Sequence, residues 1–288
     1  MSKQGYVTFA MNFGEDSDEI RYAYTLACSL KLQDTEREIC LITDKFDNIP
    51  SKYEDVFDYI VELPYGDKDY HSPYKEANLW QMYYCTPFEE TIYIDKYSVV
   101  TSDIDSVWDT FSIHDIVFPE QVNNFREETI NDVSSFIIHN KNELPKYYTD
   151  VFYFKKSAEA AEFFKMADPA FQNWRDTFYE FVKESRPEYF DTNLMWNITA
   201  HMIGHNQHFG YKIYSKVILD SMELIDEDIP TVWTDYINVW GYKGKILKVN
   251  NYVVNGIFNY QEPKFLTKEI FDDYKERYKE TTITLAEI

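Results

Sequence analysis

The chain has 288 residues, 44% of them hydrophobic and 18% aromatic, with 25 Tyr and 21 Phe; this supplies a sizeable packed core and excludes a disordered chain. Lys and Arg number 28 against 50 Asp and Glu, a formal charge of -22 spread along the sequence, which excludes a general phosphate-tracking surface for nucleic acid. Three widely spaced cysteines (Cys28, Cys40, Cys85) lack any C-x-x-C arrangement and read as reduced core thiols, and no apolar stretch reaches the roughly 18 residues that span a bilayer, so a soluble, cytoplasmic protein without membrane contact is expected.

Gly5 to Met11 is a β-branched and aromatic run of strand length, followed by the polar Asn12-Phe-Gly-Glu-Asp-Ser. From Asp18 the period changes. Ile20, Ala23, Tyr24, Ala27 and Cys28 fall on one helical face, and Glu15, Asp16, Asp18 and Glu19 crowd the first turn, where the helix dipole favours negative charge. Strands follow at Glu38 to Thr43 and Tyr59 to Leu63, with a short helix from Pro50 between them. A second helix covers Tyr74 to Tyr84, and the apolar strand Ile92-Tyr93-Ile94 then delivers Asp95 to its C-terminal end. Strands alternating with helices predict an α/β fold with a mostly parallel central sheet, whose ligands sit at the carboxyl ends of the strands.

Beyond a helix at Ile104 to Phe111 the rhythm loosens. Short strands are predicted at Asp115 to Phe118, Ser134 to His139 and Val151 to Phe154, a helix capped by Ser157, another from Phe171 to Lys183, and a third from Thr192 to Ile203, capped by Asp191 and stopped by Gly204. Strand patterns return at Lys212 to Ser215, Lys245 to Val249 and Tyr252 to Asn259, and a helix near Lys268 to Lys279 ends the chain. With no repeats or Gly/Ser linkers, residues 1–262 read as one compact unit, with 263–288 as a C-terminal helix and tail.

An ordered series of segments carries a more specific signal: Val7-Thr-Phe-Ala-Met-Asn12, Lys75-Glu-Ala-Asn-Leu-Trp80, Tyr93-Ile-Asp95 through Trp108, Val151-Phe-Tyr-Phe-Lys-Lys-Ser157, and Phe190-Asp191-Thr-Asn193. The series resembles the motifs of GT-A-fold glycosyltransferases of the glycogenin-like family 8, and the shortened build resembles the variety carried by tailed bacteriophages. The resemblance implies a Rossmann-like nucleotide-binding half (1–111) abutting an acceptor half (112–262), and retaining transfer of a sugar from a UDP-linked donor. It implies uridine contact by Thr8, Ala10 and Asn12, sugar-phosphate and diphosphate contact by Lys75, Asp95, Lys96 and Tyr97, and sugar orientation by Asp150, Asp191 and Asn193, with Thr149 beside Asp150. Read without it, Lys75 is also an ordinary surface lysine and Asp191 an ordinary helix cap.

The family's signature is D-x-D, two carboxylates that bind Mn²⁺ or Mg²⁺ against the donor phosphates, completed by a late histidine. Here the matching residues are Asp95-Lys96-Tyr97 and, late in the chain, Asn259, so Asp95 is the retained ligand. Either Lys96 supplies the positive charge in place of the metal, or the protein is a pseudo-glycosyltransferase that acts as a binding or scaffolding subunit, as a homo-oligomer or beside an active relative. A literal D-x-D, Asp103-Ile-Asp105, reads as a helix-start element. His201, His205 and His208 could share a zinc ion only if the helix ran past Gly204, and Trp174, Trp196, Trp233 and Trp240 read as core aromatics or sugar-stacking rings. Saccharide, protein and modified DNA base remain open as acceptors.

Overall fold

The computed structural model describes residues 4–12, 17–68, 74–129, 137–182, 188–204, 210–211, 219–221, 239–242, 246–249 and 252–286. The strands are β1 (Gln4–Phe9), β2 (Glu38–Thr43), β3 (Tyr59–Glu62), β4 (Glu90–Ile94), β5 (Ser98–Val100), β6 (Ile116–Pro119), β7 (Val151–Lys155), β8 (Gly210–Tyr211), β9 (Leu219–Ser221), β10 (Val239–Tyr242), β11 (Ile246–Val249), β12 (Tyr252–Val253) and β13 (Ile257–Asn259). The α-helices are α1 (Glu19–Gln33), α2 (Met82–Cys85), α3 (Asp105–Phe111), α4 (Ile137–Lys141), α5 (Ala158–Gln172), α6 (Trp174–Phe181), α7 (Thr192–Met202) and α8 (Lys268–Ala286).

Seven strands form the central sheet in the order β3-β2-β1-β4-β7-β6-β8. β1, β2, β3 and β4 run parallel, and β7 is antiparallel to β4, with Val151 opposite Ile94. The carboxyl ends of four parallel strands and the amino end of β7 therefore share one edge. The α/β architecture with a mostly parallel sheet is the one read from the alternating patterns.

Because both faces of these strands are covered, they carry near-continuous apolar runs. One face packs on α1, α3 and α8, with Tyr24 of α1 and Phe271 of α8 at 6.0 Å between ring centroids. The other face packs on α5, α6, α7 and a 3₁₀ segment (Lys75–Gln81), and its centre is Trp196, 4.4 Å from Phe171 and stacked on Phe163 at 5.6 Å. Trp174 and Trp196 are thus core residues; Trp233 and the Trp240 side chain lie outside the described structure. At the amino edge of the sheet, the Tyr6 hydroxyl donates to Asp34 (2.7 Å) and accepts from Trp108 Nε1 (2.8 Å), while Arg37 pairs with Asp34 at 2.7 Å and Asp105 at 2.6 Å.

Four expectations change. The segment expected as a strand at Ser134 to His139 is helical over α4, with 134–136 outside the described residues. β6 already has β7 on one side and β8 on the other, so this apolar run is left to pack Ile138 against the core as a helix. The helix at Tyr74 to Tyr84 divides into the 3₁₀ segment and α2, as Asn78 and Gln81 turn their side chains back to Lys68, Gly66 and Tyr65. The helix expected from Phe171 to Lys183 is broken at Asn173 between α5 and α6, and the strand expected from Tyr252 to Asn259 is split by Gly256, whose φ of 85 only glycine adopts freely. The Lys212 to Ser215 strand lies outside the described residues.

All three cysteines are free, and burial pushes the Cys28 and Cys85 thiols up to about 12 and that of Cys40 up as well. A thiol reagent at pH 8 is therefore expected to find no fast-reacting cysteine in the native protein and all three after unfolding. Fast labelling of native Cys28 or Cys40 would contradict this packing.

Candidate active site

Asp95 follows β4 directly, and its backbone N–H donates to Asp150 O at 2.7 Å, which joins the loop after β4 to the residue that opens β7. Its carboxylate accepts from the Tyr97 N–H (2.8 Å) and, more weakly, from the Tyr93 hydroxyl (3.4 Å). Burial holds the Asp95 carboxyl above the ordinary carboxylate range, with Lys96 pulling the other way.

Lys96 is 2% exposed. Its ammonium donates to Glu76 at 2.8 Å, lies 3.6 Å from Glu19, and sits 4.7 Å from the Tyr97 ring centroid. The Tyr97 hydroxyl donates to the same Glu19 carboxylate at 2.8 Å. Burial opposes the lysine's charge, but Glu76, Asp95 and Glu19 outweigh it and hold the ammonium above the ordinary lysine value. Glu76 is the mirror case: burial opposes its charge, and Lys96 nevertheless holds it below the ordinary glutamate range. Two carboxylates thus pair with one buried ammonium, and the charge of a third, on the adjacent Asp95, also favours it.

The other expected residues are arranged around this cluster. Ala10, just past β1, donates its N–H to Ile42 O (3.0 Å) and is fully buried; Thr8 is buried on the same face, and Asn12 Oδ1 accepts from Ile20 N (3.3 Å) at the start of α1. Residues 13–16 of that loop lie outside the described structure. Lys75 is buried and paired with Asp67 at 2.6 Å, and Asp67 also accepts from Asn78 (2.8 Å), so this lysine is no free surface residue. β13 pairs with β5 so that Asn259 faces Ser98, and the Tyr260 N–H donates to Tyr97 O (2.9 Å); the late asparagine is brought beside the Asp-Lys-Tyr loop, its side chain accepting from Gln261 N (3.0 Å).

Asp191 caps α7 by accepting from Leu194 N (2.9 Å), and burial pushes its carboxyl up against the pull of the Leu194 and Asn193 N–H groups. Tyr74 donates to Glu188 O (3.0 Å), tying the segment before Asp191 to the one bearing Lys75 and Glu76. Asn193 Oδ1 accepts from Asn197, and the fully buried Asn197 amide makes both hydrogen bonds to the Tyr147 backbone at 2.8 and 2.9 Å. Asn197 therefore fixes α7 against the chain that leads to Thr149, Asp150 and Asp95.

Sequence reading missed Glu76, Glu19, Asp67 and Asn197. Glu76 stands beside Lys75 in the Lys-Glu-Ala-Asn segment, and Glu19 was absorbed into the acidic first turn of α1; only their convergence on Lys96 distinguishes them. The literal D-x-D is elsewhere. Asp103 accepts from the Asp105 N–H (2.7 Å) at the start of α3, and Asp105 pairs with Arg37 at the opposite, amino edge of the sheet. His201 ends α7 near Phe181, Gly204 takes a φ of 76, and His205 and His208 lie outside the described residues.

Among the described residues no group of three or more His, Cys, Asp or Glu could hold a metal ion. Asp95 is one carboxylate beside the Lys96 ammonium, and the positions that the resemblance gives to the other two ligands hold Tyr97 and Asn259. The donor set does not fit the two-carboxylate, one-histidine site implied by the resemblance.

No family model matches the sequence, and no curated protein matches it. By structure, the chain is similar to the galactosyltransferase LgtC solved with donor and acceptor sugar analogs, with a TM-score of 0.55 and 12% identity over 96% of this chain and 95% of that one. An active-site mutant of LgtC gives a TM-score of 0.52 at 12% identity, over 97% and 95%. The protein has the GT-A-type α/β fold of these glycosyltransferases. Among the described residues no helix is long and apolar enough to cross a membrane.

Lys96→Met leaves the carboxylates unneutralised and is expected to cost about 2–4 kcal/mol in urea denaturation. Glu76, held below its ordinary value, stabilises the fold above that value and loses its contribution as pH falls through the folded one; Glu76→Gln is therefore expected to flatten the acid limb of the stability profile. Asp191→Ala removes a helix cap and is expected to cost about 1 kcal/mol.

Proposed function

We propose that this protein is a glycosyltransferase that moves a sugar from a nucleotide sugar, UDP-linked, to an acceptor with retention of configuration. The observation that carries the reading is the gathering of Asp95, Lys96, Asp150, Ala10 and Asn12 at the carboxyl edge of a sheet whose fold matches a galactosyltransferase over nearly the full length of both chains. Thr8, Ala10 and Asn12 receive the uridine, Lys75 and the Asp95-Lys96-Tyr97 loop with Asn259 face the diphosphate, and Asp150, Asp191 and Asn193 orient the sugar.

The acceptor hydroxyl oxygen forms the new bond to the anomeric carbon, and its proton goes to the diphosphate whose bond to that carbon breaks. Asp150 and Asp191 accept hydrogen bonds from the sugar hydroxyls and lie where positive charge develops on the ring. For the acceptor we propose a saccharide, since the similar LgtC was solved with an acceptor sugar analog and a charge of -22 opposes polyanions.

Uridine diphosphate at 100 times its dissociation constant is expected to stabilise the protein by about 2.7 kcal/mol, read as a rise in melting temperature. Mass spectrometry with a panel of nucleotide sugars and saccharides is expected to show donor loss matched by acceptor gain. No thermal shift with any nucleoside diphosphate, and no sugar loss from any donor, would sink the proposal; binding without turnover would point to the scaffolding role instead.

A further inference from the structure

The fold brings Glu19, Glu76 and Asp95 around a single ammonium, and the three differ in how firmly they are held. Asp95 is fixed by the Tyr97 N–H and by its own backbone bond to Asp150. Glu19 opens α1, is 18% exposed, and has a second partner in the Tyr97 hydroxyl at 2.8 Å; its distance to Lys96 is the longer one, 3.6 Å. Glu76 makes the short contact of 2.8 Å, sits on the one 3₁₀ segment of the cluster, and is 34% exposed, while the lysine side chain beneath it is 3% exposed. Of the two carboxylates paired with Lys96, Glu76 is thus both the closer and the more exposed.

An ammonium buried with three carboxylates is overmatched in charge, so a dianion arriving beside it gains attraction only by taking a carboxylate's place. The partner that leaves at least cost is the one with solvent to turn into. We infer that Lys96 is the resident cation of the donor site, and that it meets an incoming diphosphate by exchanging Glu76 for a phosphate oxygen, with no divalent ion required. Glu76 is then a positioning residue. It keeps Lys96 charged and aimed before the donor arrives, and swings to solvent when the phosphate takes over. Glu19 and Tyr97 hold the ammonium in register during the exchange. The inference rests on the donor reading above and adds the metal independence and the competing carboxylate.

The test is calorimetric titration of the native protein, Glu76→Gln and Lys96→Met with uridine diphosphate, each in EDTA and again with Mn²⁺. The native protein is expected to bind equally well in both. Glu76→Gln removes a charge that competes with the phosphate and is expected to bind roughly ten-fold more tightly in EDTA, a gain that a purely structural role for Glu76 cannot produce. Lys96→Met is expected to lose binding in both conditions; should that chain not fold, Glu76→Gln still decides. Binding by the native protein only with Mn²⁺, or weaker binding by Glu76→Gln, overturns this inference and leaves the donor reading standing. Absence of binding under either condition overturns the donor reading itself, and the exchange with it.

Discussion

A positive charge buried at the end of a β-strand must be neutralised where it lies, and Lys96 imposes that requirement on everything around it. The first residue of α1, the 3₁₀ segment after residue 74, and the loop between β4 and β5 all meet because each contributes a group to the ammonium or to its partners: Glu19, Glu76, and Asp95 with Tyr97. Tyr97 and Glu19, the extremes of the set, lie 78 positions apart, so the ion cluster is a tertiary clasp rather than a local one. Removing the ammonium leaves like charges facing one another, which is why the clasp is a point of vulnerability as well as of assembly.

The two edges of the sheet solve different problems with similar groups. At the amino edge, Tyr6, Asp34, Arg37, Trp108 and Asp105 form a network in which one guanidinium serves two carboxylates and the phenol both donates and accepts. Charge is close to balanced there, and the geometry suits a brace. At the carboxyl edge, three carboxylates share one ammonium, a second buried lysine is spoken for by Asp67, and burial shifts Asp95 and Asp191 upward. Shifts of this kind are common where charged groups are gathered at a functional site, and they also occur in structural ion-pair networks.

Between the edges, Asn197 shows how a core residue serves a site it does not enter. Its amide makes two bonds to the Tyr147 backbone and one to the Asn193 side chain, so α7 is tied to the lead-in to β7. The aromatic packing of Trp196, one residue earlier, holds the same helix from the other direction. A polar residue with every bond made adds direction to packing that is otherwise non-directional.

The alternation of apolar strands with amphipathic helices was enough, in sequence, to establish the α/β class, the place of Asp95 at a strand end, the cap at Asp191 and the stop at Gly204, because those features follow from local periodicity and capping chemistry. The same local signals misjudged residues 137–141, where the available strand positions were already filled, but read Asp103-Ile-Asp105 as a helix-start element, and Arg37 pairs with Asp105 at the far edge of the sheet. Lys96 stood out by its position in a degraded motif, yet its partners did not, since an acidic first turn and a Lys-Glu pair are common on solvated surfaces. Whether a charge is solvated or buried, and against which charge, depends on which segments the sheet order brings together. That convergence is a property of the fold, and it is what turned two ordinary glutamates into the neighbours of one buried ammonium.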